Sequence, residues 1–276
     1  MEPKAPSQTA YAVARMRAGH QVLDGGKIFT DPYACPLVGE TPEGLAAQLT
    51  AESDDTISRT YMATRSRIGE DWLHAAYRRG VRQAVILGAG FDTFGLRNPY
   101  QDLAVFEVDH PATQSWKQQR LTEAGLNMPP SLTFVPANLA ADELLRALGG
   151  STFRAAEPAF FLWLGVVPYL ARADVFKTLA AIAEIPGAEV VFDYSEPLDN
   201  YPASVQPFIE EMARKVAALG EPWLSYFDPT QLGSELQRLG YAEVEDLDRE
   251  SVVNWISQTK SEAKAPGPHL IRARRC

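Results

Sequence analysis

The amino-acid sequence predicts an α/β fold, a parallel sheet covered on both faces by helices. Two observations carry this expectation. The runs "QAVILGAG", "LAVFEVDH", "SLTFVPAN", "PAFFLWLG" and "AEVVFDYS" are short and rich in β-branched or aromatic residues. Between them lie the helical stretches "PATQSWKQQRLTEAG", "AADELLRALGG" and "RADVFKTLAAIAEI". Strands that alternate with helices are joined by crossovers, and crossovers place strands parallel. The size agrees. With 276 residues, 46% of them hydrophobic, the chain can bury the core of one large domain with an elaborated N-terminus.

The elements follow in order. "SQTAYAVARMRAGHQVLD" has helix-forming composition, with Ser7 placed to cap it. "TDPYACPLVG" reads as a turn-rich connection. In "ISRTYMATRSRIGEDWLHAAYRRG" the residues Ile57, Tyr61, Ile68, Trp72, Ala75 and Ala76 recur at near-helical spacing, and Gly80 is placed to end the helix. The five strand-like runs come next. Beyond them "VQPFIEEMARKVAALG" and "PTQLGSELQRLG" are helical, and "YAEVEDL" and "PHLIRARR" close the sheet as a final pair of strands. "DRESVVNWISQTKSEAKAPG" reads as an irregular excursion.

Composition excludes several function classes. A net charge of −9 argues against a nucleic-acid partner, and the basic "IRARRC" is one short run read as an edge strand. The two cysteines, Cys35 and Cys276, have no CxxC spacing and no neighbouring histidines. Neither a metal site nor a disulfide framework is expected. No apolar run has the length of a membrane span, and "MEPKAPSQTA" lacks a signal-peptide core. The expectation is a cytoplasmic protein with reduced thiols and no membrane association.

In such a sheet ligands sit beyond the carboxyl ends of the strands, near the point where strand order reverses. The residues there are Gly88-Ala89-Gly90, Glu107-Val108-Asp109, Ala137-Asn138-Leu139, Trp163-Leu164-Gly165 and Asp193-Tyr194-Ser195. Gly88 and Gly90 clear side chains from a turn where a ligand could lie on the backbone. About 20 positions beyond such glycines a ribose site needs an acid, and Glu107 and Asp109 both fall there. That pattern serves NAD and S-adenosylmethionine alike. A pyrophosphate also wants a third small residue and a long helix, whereas this chain has Thr93 and an early Pro99. S-adenosylmethionine has no phosphate, but its amino-acid end carries a carboxylate. Arg65 and Arg67, just upstream, are suited to that group.

At these motifs the chain resembles the leucine carboxyl methyltransferase family, in the bacterial branch that also includes polyketide carboxyl methyltransferases. The likeness rests on "ATRSR", "ILGAGFDTFGLR", "FEVDHP", "FVPANL" and "LWLGVVPYL", with "LDGGKIFTDPYACPLVG" and "EPWLSYFDP" beside them. It implies the Rossmann-like S-adenosylmethionine-dependent methyltransferase fold, with a seven-stranded, mostly parallel sheet. It also implies an N-terminal helical lid over residues 1–80 and an α/β core over 81–276, in one compact domain. Carried over by position, Arg65 meets the methionine carboxylate and Gly88 and Gly90 line the amino-acid end. Asp109 holds the ribose, ahead of Glu107. Asn138, followed by Leu139, stands where the family has an adenine-contacting Asp. Leu164 stands where the eukaryotic members end their fourth strand in an acid, so their protein-tail substrate does not transfer.

The expected chemistry is attack of an oxygen nucleophile on a sulfonium methyl. A carboxylate acceptor is already ionised and needs no general base, so positioning and water exclusion suffice. Tyr169, just past the fourth strand, is placed to orient a small-molecule carboxylate or hydroxyl acceptor. A hydroxyl acceptor would need a base, and His110 is the candidate. Trp163, Phe160 and Phe161 read as core. Two other readings stay open: an NAD-linked oxidoreductase, and a non-catalytic protein that retains the fold, for which Asn138 and Leu164 speak.

Overall fold

The computed structural model describes residues 7–51, 56–256 and 267–275. The N-terminal part holds four helices: α1 (Gln8–Leu23), α2 (Ala34–Val38), α3 (Pro42–Ala51) and α4 (Thr56–Arg78). Ser7 caps α1 through Oγ, which accepts from the Ala10 N–H at 3.0 Å. The stretch read as a turn-rich connection contains a short helix, α2, closed by Gly39 in the left-handed region. Helix α3 was not anticipated, although Thr41 and Pro42 carry the usual start signal. Thr41 Oγ1 accepts from the Gly44 N–H at 3.1 Å.

The core then alternates as expected. It runs β1 (Gln83–Leu87), α5 (Phe94–Arg97), β2 (Ala104–Asp109), α6 (Pro111–Glu123), β3 (Leu132–Pro136), α7 (Leu144–Gly149) and β4 (Phe160–Trp163). It continues with α8 (Arg172–Ala183), β5 (Glu189–Ser195), α9 (Gln206–Ala218), α10 (Pro229–Arg238), β6 (Glu243–Leu247), α11 (Arg249–Asn254) and β7 (Pro268–Arg274). Part of the excursion read as irregular is thus α11, and residues 257–266 lie outside the described residues. Cys276 lies outside them too.

The seven strands lie in the order β3-β2-β1-β4-β5-β7-β6. The first five pair in parallel, whereas β7 runs antiparallel to both β5 and β6. This corrects the reading of the C-terminal run as an edge strand. The edge is β6. Leu270, Ile271 and Ala273 of β7 are fully buried, which an edge position would not provide. Strand order reverses between β1 and β4, so the crevice above those two strands is where a ligand is favoured.

Alternation along the strands explains the two covered faces. Val85, Leu87, Phe106, Val108, Phe161 and Trp163 point to one face, against Leu148, Leu179 and Leu236. Ala84, Ile86, Val105, Phe160 and Leu162 point to the other, against Ile68, Trp72, Leu73 and Ala76 of α4. A third cluster joins α1, α2 and α3 to Phe91 and Leu96 beyond β1. That cluster seats the N-terminal helices over the glycine turn.

Near the end of β5, His269 of β7 is held between two carboxylates. Nδ1 lies 3.0 Å from Asp246 Oδ1 and Nε2 lies 3.0 Å from Glu196 Oε1. Ionised carboxylates only accept, so both ring nitrogens must donate, as they do in an imidazolium. Burial opposes that charge, yet Asp246 and Glu196 outweigh it and raise the pKa above 6.5. Stabilisation from a raised histidine is full below its unfolded pKa and is lost as pH rises through the folded one. Urea denaturation across pH 6 to 9 should therefore show a stability loss in the wild type that His269→Gln flattens. Identical slopes in the two proteins would refute the imidazolium assignment.

Candidate functional site

The glycine turn after β1 is shaped by its neighbours. Gly88 has φ +61°, and a Cβ there would collide with Val166 Cγ2, so a side chain at this position is strained on two grounds. Its N–H donates to Val108 O at 2.8 Å, which ties the turn to β2. The Gly90 N–H donates to Asp109 Oδ2, and the His110 N–H donates to Asp109 Oδ1 at 2.6 Å. Burial pushes the Asp109 carboxyl up, against the two backbone N–H bonds that hold it down. Asp109 is half-buried at the end of β2, beside the turn.

Glu107, the other acid of that strand, is placed differently. It is wholly buried, and Oε2 is paired with Lys117 Nζ of α6 at 2.5 Å. Lys117 Nζ also donates to Asp92 O at 2.5 Å. Burial pushes the Glu107 carboxyl up to about 7, against the pull of Lys117. Glu107 therefore supports the turn from beneath, and Asp109 is the acid left at the strand end.

Arg65 of α4 reaches the end of β5. Its Nη1 donates to Asp193 Oδ2 at 2.5 Å, with both residues buried. Asp193 Oδ1 accepts the Gly165 N–H at 2.5 Å. Gly165 has φ +73°, and its ideal Cβ position lies 3.4 Å from Arg65 Nη2. Arg65 Nε is buried and has no hydrogen-bond partner among the described residues. Arg67 is elsewhere, exposed and paired with Asp71 at 2.8 Å. The strand ends thus form one continuous line. It runs from Asp109 through Gly90 and Gly88 to Val166, Gly165, Arg65 and Asp193.

The other expected positions flank that line. Asn138 is exposed, and its Oδ1 accepts from the Ala140 N–H at 3.1 Å. Leu139 and Leu164 are half-buried and pack against opposite faces of the sheet. Tyr169 is half-buried on a short 3-10 turn, Val167–Tyr169. His110 is exposed and caps α6, with Nδ1 accepting from the Ala112 N–H at 3.2 Å. Trp163, Phe160 and Phe161 are fully buried core residues.

Several connections were not anticipated. Thr93, where a third glycine would stand in a dinucleotide site, is fully buried and donates to Asp31 Oδ2 at 2.7 Å. Arg17 of α1 donates to Phe91 O. Tyr11 packs edge-on against Phe91, with centroids 5.8 Å apart. Ala10 lies over Gly90. The Gln8 and Thr9 N–H groups donate to the Glu221 carboxylate at 3.1 Å each. Further along, the Leu224 N–H donates to Pro168 O at 2.6 Å. Segment 221–228 therefore links α1 to the loop after β4. Helix α5, directly after the glycine turn, spans only Phe94–Arg97. It offers no long N-terminus for a pyrophosphate.

Among the described residues no group of His, Cys, Asp and Glu could hold a metal ion, and no helix is long and apolar enough to cross a membrane.

The strand order, the reversed β7 and the acid-and-glycine strand ends define the fold of the S-adenosylmethionine-dependent methyltransferases. Magnesium protoporphyrin IX methyltransferase from Synechocystis, solved with bound S-adenosylhomocysteine, has this fold. It superposes with a TM-score of 0.50 at 10% identity, over 97% of this chain and 100% of that one. Residues 10–183 match the family model for leucine carboxyl methyltransferase, and the chain belongs to that family. A Bacillus subtilis protein named "Putative S-adenosyl-L-methionine-dependent methyltransferase YktD" is 34% identical over 192 residues. These are 68% of this chain and 63% of the relative, so the match spans less than two thirds of that protein. A Parafrankia relative of the same designation is 30% identical over 227 residues, 78% of this chain and 69% of its own length.

Proposed function

We propose that this chain binds S-adenosylmethionine across the ends of β1 to β5 and methylates a carboxylate oxygen of a small molecule. The observation that carries the reading is the buried Arg65 guanidinium beside Gly165, with Nε lacking a partner among the described residues. A buried donor without a partner costs about 1–3 kcal/mol, and a carboxylate brought to that face would satisfy it. The other groups suit the remainder of the cofactor. Asp109 is placed to accept from the ribose hydroxyls, and its two backbone N–H bonds fix its orientation. Asn138 and Leu139 stand at the β3 end for the adenine, and Leu164 stands at the β4 end.

When bound, S-adenosylmethionine supplies an electrophilic sulfonium methyl. The protein's part is to hold the two reactants and exclude water. Helix α1, seated over Gly90, and segment 221–228 would provide the cover. Tyr169 would orient the acceptor through its hydroxyl. A carboxylate acceptor fits the lack of an assigned base. His110, the one candidate, already uses Nδ1 to cap α6. A cytoplasmic location fits the buried Cys35, which forms no disulfide among the described residues. No nucleic-acid or membrane partner is proposed.

The test is calorimetric titration with S-adenosylhomocysteine, followed by methyl transfer from labelled cofactor to panels of carboxylic acids and alcohols. Base-labile methyl product from the acids is expected. Transfer only to hydroxyls would replace the carboxylate reading. Asp109→Ala should weaken S-adenosylhomocysteine by more than about 1 kcal/mol, the scale of a charge-assisted hydrogen bond. Unchanged affinity in a folded variant would remove the ribose role.

A further inference from the structure

Asp193 has no role in the reading above beyond touching Arg65. It is nevertheless buried, 7% exposed, and both its oxygens are engaged by groups at the strand ends. Oδ2 accepts from Arg65 Nη1 and Oδ1 accepts from the Gly165 N–H, each at 2.5 Å. A carboxylate has about four acceptor positions, so these two bonds leave room for two more. Arg65 likewise retains donors, Nε among them.

Charge balance decides what such a pair can accept. Arg65 and Asp193 cancel. A second carboxylate brought to Arg65 would leave a buried cluster with one net negative charge, and burying unbalanced charge is costly. The balance is restored only if a cation arrives with it. The amino-acid end of S-adenosylmethionine carries a carboxylate and an ammonium on one carbon.

We propose that Arg65 and Asp193 form a clamp for a zwitterion, with Arg65 taking the α-carboxylate and Asp193 accepting from the α-ammonium. This rests on the cofactor reading above and adds a specificity residue to it. Asp193 makes the site select for the amino group, which Arg65 alone would not read. Gly165 completes the clamp. Its positive φ aims the N–H at Asp193, and its missing side chain leaves the guanidinium uncovered from that side.

The experiment compares two probes on wild-type protein and on Asp193→Asn. One is S-adenosylhomocysteine. The other is its deaminated analogue, which keeps the carboxylate but lacks the ammonium. On the wild type the intact probe should bind at least tenfold tighter. In Asp193→Asn the intact probe should weaken about tenfold. The deaminated one should hold or tighten, because its carboxylate then meets an unbalanced Arg65. Parallel weakening of both probes would reduce Asp193 to a positioning residue and overturn the clamp. Equal binding of both probes to wild-type protein would overturn it without any variant. Failure of the wild type to bind S-adenosylhomocysteine at all would instead remove the cofactor reading, and the clamp with it.

Discussion

Above pH 8, where Glu107 must ionise, Lys117→Met should lower the unfolding free energy by about 3–5 kcal/mol, the cost of leaving a buried charge without its partner. Lys117 is 1% exposed and Glu107 is wholly buried, so water cannot replace the missing ammonium. The loss should depend on pH with a definite sign. Burial already pushes the Glu107 carboxyl up to about 7 with Lys117 in place. Removing the lysine pushes it further. A group with a raised folded pKa contributes stability below its unfolded pKa, 4.5 here, and loses it as pH rises through the folded value. The variant's deficit should therefore be smallest near pH 5 and largest above pH 8. Adding Glu107→Gln removes the stranded charge and should recover most of the loss. Urea denaturation of both single variants and the double variant measures this. A deficit independent of pH, or no recovery in the double variant, would show that the ion pair is not the cause.

That pair also shows where sequence reading stops. Glu107 and Asp109 are two residues apart on one strand, so they share a face and both suit a ribose by spacing. What separates them is Lys117, which α6 brings beneath the sheet to Glu107. Only the fold makes that contact. The strands themselves were legible because each is a short apolar run with a clear end. Their order was less so. In "PHLIRARR" the arginines suggested an exposed edge, but Arg272 and Arg274 are paired with acids of the flanking strands. Arg272 meets Glu245 at 2.6 Å and Glu189 at 3.6 Å, and Arg274 meets Glu243. Charges satisfied by neighbouring strands look like solvated charges in one dimension.

The candidate site divides in the same way. Gly88, Gly90 and Asp109 sit within one β-α-β unit, so their spacing could be read directly. Asp193 was recognised as a strand end and nothing more, because its partner Arg65 lies 128 positions away. The tie between Thr93 and Asp31, 62 positions apart, was hidden for the same reason. Sequence spacing reports local units, whereas the ties that seat the N-terminal helices on the core are long-range.

Arg65→Ala should cost S-adenosylhomocysteine about 3 kcal/mol or more in binding, the scale for truncating one partner of a buried, hydrogen-bonded charge pair. Two losses combine. The cofactor's carboxylate loses its cation, and Asp193 keeps, among the described residues, only the Gly165 N–H. The second loss also lowers the melting temperature, so affinity by itself would not separate them. 5′-Methylthioadenosine does, because it keeps the ribose and adenine but has no amino-acid end. Its affinity should be unchanged in Arg65→Ala if Asp109 and the glycine turn remain intact. Arg65→Lys should fall between, since a lysine keeps the charge but lacks the fork that engages two oxygens together. Calorimetry with both ligands on all three proteins gives the answer. Loss of both ligands would mean that Arg65 only holds the strand ends together. Loss of neither would place the methionine end elsewhere, away from β5.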